Sequence, residues 1–241
     1  SPIDIHARDE QGFTCACWRG NIPTIKFLLK YANYINSPID IHAKNEWGFA
    51  HACMSGNIPT IKFLLEYAIS INSPIDIHAN NEWGFAHACM SGNIPTIKFL
   101  LEYATSINSP IDIHAKNEEG FTNACESGNI SAIKFLLEYA VSINSPIDIH
   151  TRATSVFKQA CMRDDTEIIQ LLVDESLFTP IKYLYDEANK TGYIFNPDFA
   201  PNAPGIRSHK TILFQTVDNK TFDRFYLDNN IGKLVRKKSA R

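Results

Sequence analysis

The sequence predicts an all-α helical repeat solenoid of about five units, followed by a small α+β extension. Three observations carry this. A block of 36 residues recurs along residues 1–176, each block ends in an apolar stripe with three-and-four spacing, and the pattern stops at Ser176. The segment Ser37–Asn72 reappears at Ser73–Asn108 with two changes, Lys44 to Asn80 and Ile69 to Thr105. Looser copies span 1–36 and 109–144. A fifth, 145–176, opens with the same SPIDIH and then decays, with Asp164-Asp165 where the others have Gly-Asn, as expected of a terminal unit.

Each block reads as two antiparallel helices. The first is short, about Phe49 to Ser55, and stops at Gly56, which suits the positive φ of a helix C-terminus. Asn57 then caps the second helix, and Pro59 falls in its first turn, where a missing N–H costs nothing. Ile58, Ile61, Leu64, Leu65, Ala68 and Ile71 share one face and are the predicted core. Ser73-Pro74 ends the helix, and Ile75 to His78 continues extended. One helix pair cannot bury this stripe alone, so neighbours must stack. Repeat 1 carries the same inter-repeat residues, including Ile25 and Leu28, so the array is expected to extend before Ser1.

The segments FAHACMSGN, IKFLLE and IDIHA resemble the ankyrin patterns LHLAAxxGH, IVxLLL and DVNA. The TPLH tetrapeptide is absent, the connection from Asp76 to Phe85 is about three residues short and Tyr67–Pro74 about six long, which turns the usual period of about 33 into 36. This variant is similar to the ankyrin families encoded by giant viruses of amoebae. The resemblance implies an intracellular binding scaffold in the host cytoplasm or virion, with nuclear entry open; it does not imply which protein is bound.

Residues 1–176 hold 12 Lys/Arg against 20 Asp/Glu, and residues 177–241 hold 11 against 6. Two segments with different surfaces follow. No apolar run reaches the roughly 18 residues needed to span a bilayer, and no membrane association is expected.

Five cysteines, Cys17, Cys53, Cys89, Cys125 and Cys161, occupy one repeat position. Packed helices lie about 8–10 Å apart, too far for a disulfide or a shared zinc, so these read as small packing residues. Cys15 stands at a variable polar position and is the candidate reactive thiol. His6, His42, His78, His114 and His150 read as turn braces bonded to nearby backbone, with a pH-sensing ladder as the weaker reading. No phosphate loop, HExxH, CxxC or nucleophile elbow is present. Neither catalysis, cofactor, metal nor small-molecule substrate is expected.

Positions that differ between copies locate the candidate surface. The loop tip runs Gln11, Trp47, Trp83, Glu119, Ser155; the first helix runs Trp18, Met54, Met90, Glu126, Met162 and, beside it, Cys15, His51, His87, Asn123, Gln159. The partner-binding set is therefore Trp47, Trp83, His51, His87, Met54, Met90, Trp18 and Glu119. The tryptophans are expected about 10 Å apart, facing the same way. The competing reading packs each ring onto its own turn and uses the methionines to fill gaps between repeats.

In residues 177–241, IKYLYDEANK before Thr191-Gly192 reads as a helix, Asn196–Gly205 as a Pro-rich connector, and Lys210–Val217 with Thr221–Leu227 as a β-hairpin. The basic end, Lys233–Arg241, reads as a mobile tail and is the one place a nucleic-acid contact is expected. The leading function is a protein-binding scaffold. Its rivals are a spacer without a specific ligand, and a targeting array for an activity housed in residues 177–241.

Overall fold

Asn57 accepts the Thr60 N–H through its side chain at 3.0 Å, and the same cap opens the second helices of repeats 1 and 3. From these local signals the described residues build five helix pairs. The computed structural model describes residues 4–149, 153–163 and 165–175, and the backbone of five strands after them. The helices are α1 Ala7–Trp18, α2 Ile22–Tyr34, α3 Ala43–Ser55, α4 Ile58–Ser70, α5 Ala79–Ser91, α6 Ile94–Ser106, α7 Ala115–Glu126, α8 Ile130–Ser142, α9 Ala153–Arg163 and α10 Thr166–Glu175. The chain divides into two compact units, Ser1–Ile147 and Asp148–Arg241.

In the first unit, α1, α3, α5 and α7 stack side by side, and each even-numbered helix packs on the helix before it. Ile61, Leu64, Leu65 and Ala68 are buried, as are their copies in repeat 3. Ile71 does not belong to that core, since it is 46% exposed at the helix end. The terminator lies earlier than Ser73-Pro74. Asn72 takes a left-handed φ of 55°, its N–H donates to Ile69 O (3.0 Å), and the Ser73 N–H reaches back to Ala68 O (2.9 Å). This paired closure satisfies carbonyls that would otherwise be orphaned. Asn36, Asn108 and Asn144 repeat it.

The first helices begin differently from the sequence expectation of Phe49–Ser55. Lys44, Asn45 and Glu46 all have positive φ (55°, 55° and 65°), so a left-handed turn precedes the right-handed stretch that starts at Trp47. Repeats 1, 3 and 4 build the same turn from Arg8-Asp9-Glu10, Asn80-Asn81-Glu82 and Lys116-Asn117-Glu118. Gly56, by contrast, takes its expected left-handed conformation with φ 71°. Close approach explains a second glycine. A Cβ on Gly84 would stand 3.0 Å from the Phe49 ring of the preceding repeat.

The outer helices are joined by a ladder the sequence reading overlooked. Phe63 stacks on Tyr67 within its helix (6.0 Å), and Lys26 of the preceding repeat sets its ammonium 5.2 Å from the Phe63 ring centre. Lys62 on Phe99 and Lys98 on Phe135 continue the ladder.

In the second unit, Phe157, Ala160, Cys161, Ile169 and Leu172 are buried, and Asp165 takes the cap position, accepting the Ile168 N–H at 3.4 Å. Five strands, β1 Lys182–Asp186, β2 Thr191–Phe195, β3 Thr211–Thr216, β4 Phe222–Asp228 and β5 Lys233–Arg236, form an antiparallel sheet in sequence order. α9 packs on β2 and α10 on β1, so the fifth copy's helices group with the sheet instead of closing a unit at residue 176. β1 lies where a helix was expected: Tyr183 and Tyr185 alternate along it, and Tyr185 pairs with Gly192, the residue read as a helix stop. Aromatic residues at period two favour a pleated surface over a helix. The basic end is not a free tail throughout, because Leu234 pairs with Leu227 in β4. The connector 196–205 and residues 237–241 lie outside the described residues.

Candidate functional site

The left-handed turn delivers each loop-tip side chain to the start of a first helix, and in repeats 2 and 3 that side chain is tryptophan. Both rings are half-buried. Their centres are 5.7 Å apart and the planes tilt by 50°, so the two rings form one contact pair. The expected separation of about 10 Å holds for helix axes; side chains of this reach close the gap between adjacent repeats. His51 stacks on Trp47 (5.5 Å, 20°), and His87 meets Trp83 edge-on (4.7 Å, 74°) while its Nδ1 lies 2.9 Å from Trp83 O. Burial, then the neighbouring His87, holds the His51 imidazole below its usual range. Each ring thus packs against its own helix, as the competing reading has it, and stays half-buried.

Lys44 sets its ammonium 4.8 Å from the Trp47 ring centre. It is held there by the Arg8 carbonyl at 3.1 Å, with Asp9 3.7 Å away. Next to the rings opens a cavity of about 510 Å³, lined by Lys44, Asn45, Trp47, Asn80, Trp83 and Lys116. Glu119, which replaces tryptophan in repeat 4, turns to Lys116 at 3.5 Å.

The remaining predicted residues are not gathered into this cavity. Met54 and Met90 are half-buried on the first helices, and Asn129 Nδ2 donates to Met90 O at 2.6 Å. Trp18 is 49% exposed on α1.

The repeated histidines make a cluster that sequence reasoning assigned to backbone partners. His42 Nδ1 lies 2.6 Å from Glu46 Oε1, and His42 Nε2 lies 2.8 Å from Ser73 Oγ in the next repeat. Glu46 is buried and also accepts the Asp76 N–H at 3.1 Å. His78–Glu82–Ser109 and His114–Glu118–Ser145 have the same His–Glu and His–Ser bonds. The available signal was the Glu recurring four residues after each His.

This order of groups, hydroxyl to imidazole to carboxylate, is that of a nucleophile triad. The surroundings differ from one. The Ser73 N–H is committed to Ala68 O at 2.9 Å, and Pro74 has no N–H, so the serine's own peptide and the next cannot stabilise an oxyanion. The cluster acts as a clasp between repeats.

The cysteine ladder is buried. Desolvation pushes the Cys17 thiol up to about 12 and raises Cys53 and Cys89 as well. Cys15 alone among the six free cysteines is exposed.

A family model described as ankyrin repeats (3 copies) matches residues 13–111 and 49–147, together more than half of the chain. No curated protein matches the chain.

Proposed function

The chain belongs to the ankyrin-repeat family, and on that premise we propose that it is a scaffold that holds one protein partner at the loop tips of repeats 2 and 3. Repeats of this family generally mediate protein–protein interaction and are typically non-enzymatic. The observation that carries the finer reading is the Trp47–Trp83 pair beside its cavity, at a loop-tip position that varies along the array from Gln11 to Glu119 and Ser155. Half-exposed aromatic anchors next to a concave surface supply large contact area at low entropy cost. His51 and His87 pack against the rings, and Met54, Met90, Trp18 and Glu119 are outlying contacts for the same partner in this reading.

The test is capture from cell lysate followed by an affinity measurement. Resemblance of the repeats to those of giant amoebal viruses makes infected amoebae the first source to try. Truncating both rings, Trp47→Ala with Trp83→Ala, should weaken the captured partner by at least about 30-fold, from roughly 2 kcal/mol for a buried anchor. Glu119→Ala should change little. Unaltered affinity in the double variant moves the site off the loop tips, and capture of no stoichiometric partner favours the spacer reading.

A further inference from the structure

Repeats 2 and 3 differ at two positions, and one of them shapes the cavity. Where Lys44 places an ammonium over Trp47, repeat 3 has Asn80, which is too short to do the same for Trp83. The Asn80 amide turns instead to Asn45, accepting from its Nδ2 at 3.3 Å and donating to its carbonyl at 3.4 Å. The result is an open recess lined by two indole rings, the Asn45 and Asn80 side chains, and the lysines 44 and 116.

Resting on the loop-tip reading above, we propose that this recess receives an acidic peptide segment in which one aromatic side chain is flanked by carboxylates. The ring packs on Trp83 beside Trp47, and the flanking carboxylates meet the Lys44 and Lys116 ammoniums. Both lysines already stand beside carboxylates, Lys44 near Asp9 and Lys116 near Glu119. With Asp9 exposed, the Lys44 pair is weak and exchanges readily for a new anion, while Lys116 keeps half-buried Glu119 beside it and offers its exposed side to the guest. Lys44 is also positioned in advance by the Arg8 carbonyl, which lowers the cost of capture. Charge balance sets the length of the guest. Residues 1–176 carry eight more acidic than basic side chains, so a long polyanion such as a nucleic-acid strand is repelled, whereas two or three carboxylates match the two lysines.

The experiment uses the full chain and isothermal titration with four probes: a 12-residue Gly/Ser-based peptide in which one Phe is flanked by three Asp or Glu residues, the same peptide with Lys for its acids, the same peptide with Ala for Phe, and oligo-dT. The acidic Phe peptide should bind, and more weakly as salt rises, while the other three should bind at least about tenfold more weakly. Asn80→Lys installs what repeat 2 already carries at Lys44, so folding is not at risk; it should weaken the Phe peptide at least about tenfold by covering Trp83 with an ammonium. Lys44→Glu with Lys116→Glu should abolish binding, with circular dichroism unchanged. Tighter binding to the Asn80→Lys variant overturns the seat for the ring, and equal affinity for acidic and basic peptides overturns the acidic guest. Preference for oligo-dT makes the recess a nucleic-acid site and overturns the proposal. If the partner captured from lysate loses affinity in the double tryptophan variant while no peptide discriminates, the loop-tip reading stands and this inference falls; retention of that partner by the variant removes both.

Discussion

Replacing Glu82 should weaken the array more than any exposed carboxylate would, and the choice of replacement should reverse the usual order of alanine and glycine. Glu82 is 6% exposed and accepts from His78 Nδ1 at 2.7 Å and from the Asp112 N–H at 3.1 Å. A hydrogen bond to a charged group contributes about 1.5–3 kcal/mol net, and its loss strands two donors. The His78 side chain is 31% exposed, so water can reach one of them. Glu82→Ala is therefore expected to cost about 2–4 kcal/mol. The backbone acts in the other direction. Glu82 sits at φ 65° and ψ 30°, where a residue with a Cβ costs roughly 1–2 kcal/mol relative to glycine. Glu82→Gly should be the more stable of the two by about 1 kcal/mol, whereas in an ordinary helix interior glycine is the worse by about that amount. Urea unfolding followed by circular dichroism, with His78→Ala and the double variant completing a cycle, should give a coupling of about 1–2 kcal/mol. A cost for Glu82→Ala within about 0.5 kcal/mol, the range of an ordinary surface change, refutes the clasp. Alanine proving more stable than glycine refutes the left-handed turn.

Gly84→Ala should cost about 1–3 kcal/mol by overpacking, because its new methyl would lie 3.0 Å from the Phe49 ring; pairing it with Phe49→Leu should recover part of the loss in the same unfolding assay. A thiol reagent at neutral pH should label one cysteine per folded chain quickly, and mass mapping should place the label on Cys15, with Cys53 and Cys89 reacting only after denaturation. His6 should titrate by NMR above 6.5, since its bond to Glu10 raises it, and Glu10→Gln should bring it down. The sign for stability follows: the His6–Glu10 contribution is full below the unfolded value near 6.5 and fades as pH rises through the higher folded value.

The second helices were legible because each rule needed there is local. Asn57 caps, Pro59 enters, and Ile61, Leu64, Leu65 and Ala68 fall on one stripe. The start of the first helix was not, since Lys44-Asn45-Glu46 carries no glycine to announce three left-handed residues. What holds that turn is the bond from Glu46 to a peptide 30 residues away, and sequence reading treats such a glutamate as solvated. Residue identities at the loop tip could be read from variation among copies, while the ring-to-ring contact of Trp47 and Trp83 depends on side-chain direction across a repeat boundary. At Lys182–Asp186 two periodicities competed in a short segment, and reading a helix up to Thr191-Gly192 chose the other one.

The His–Ser and Glu–peptide bonds of the clasps, the Lys–Phe rungs of the outer helices and the glycine approaches join residues 30 to 40 positions apart, in adjacent copies. Because these joints are interchangeable, sliding the pairing by one whole period reproduces the same bonds with different partners. The native register of repeats 2 and 3 is thus separated from its shifted alternative by the closure of a 36-residue loop, a cost that grows only slowly with loop length, and by the contacts special to this boundary, Trp47 with Trp83 and Asn45 with Asn80. The same degeneracy makes the array tolerant at the level of its gene: excising or duplicating 36 codons at matched positions keeps the contacts common to the copies and alters those found at one boundary, such as Trp47 with Trp83 and Asn45 with Asn80. Lengthening such a protein is mechanically cheap, and the lasting change is in how many tips it displays.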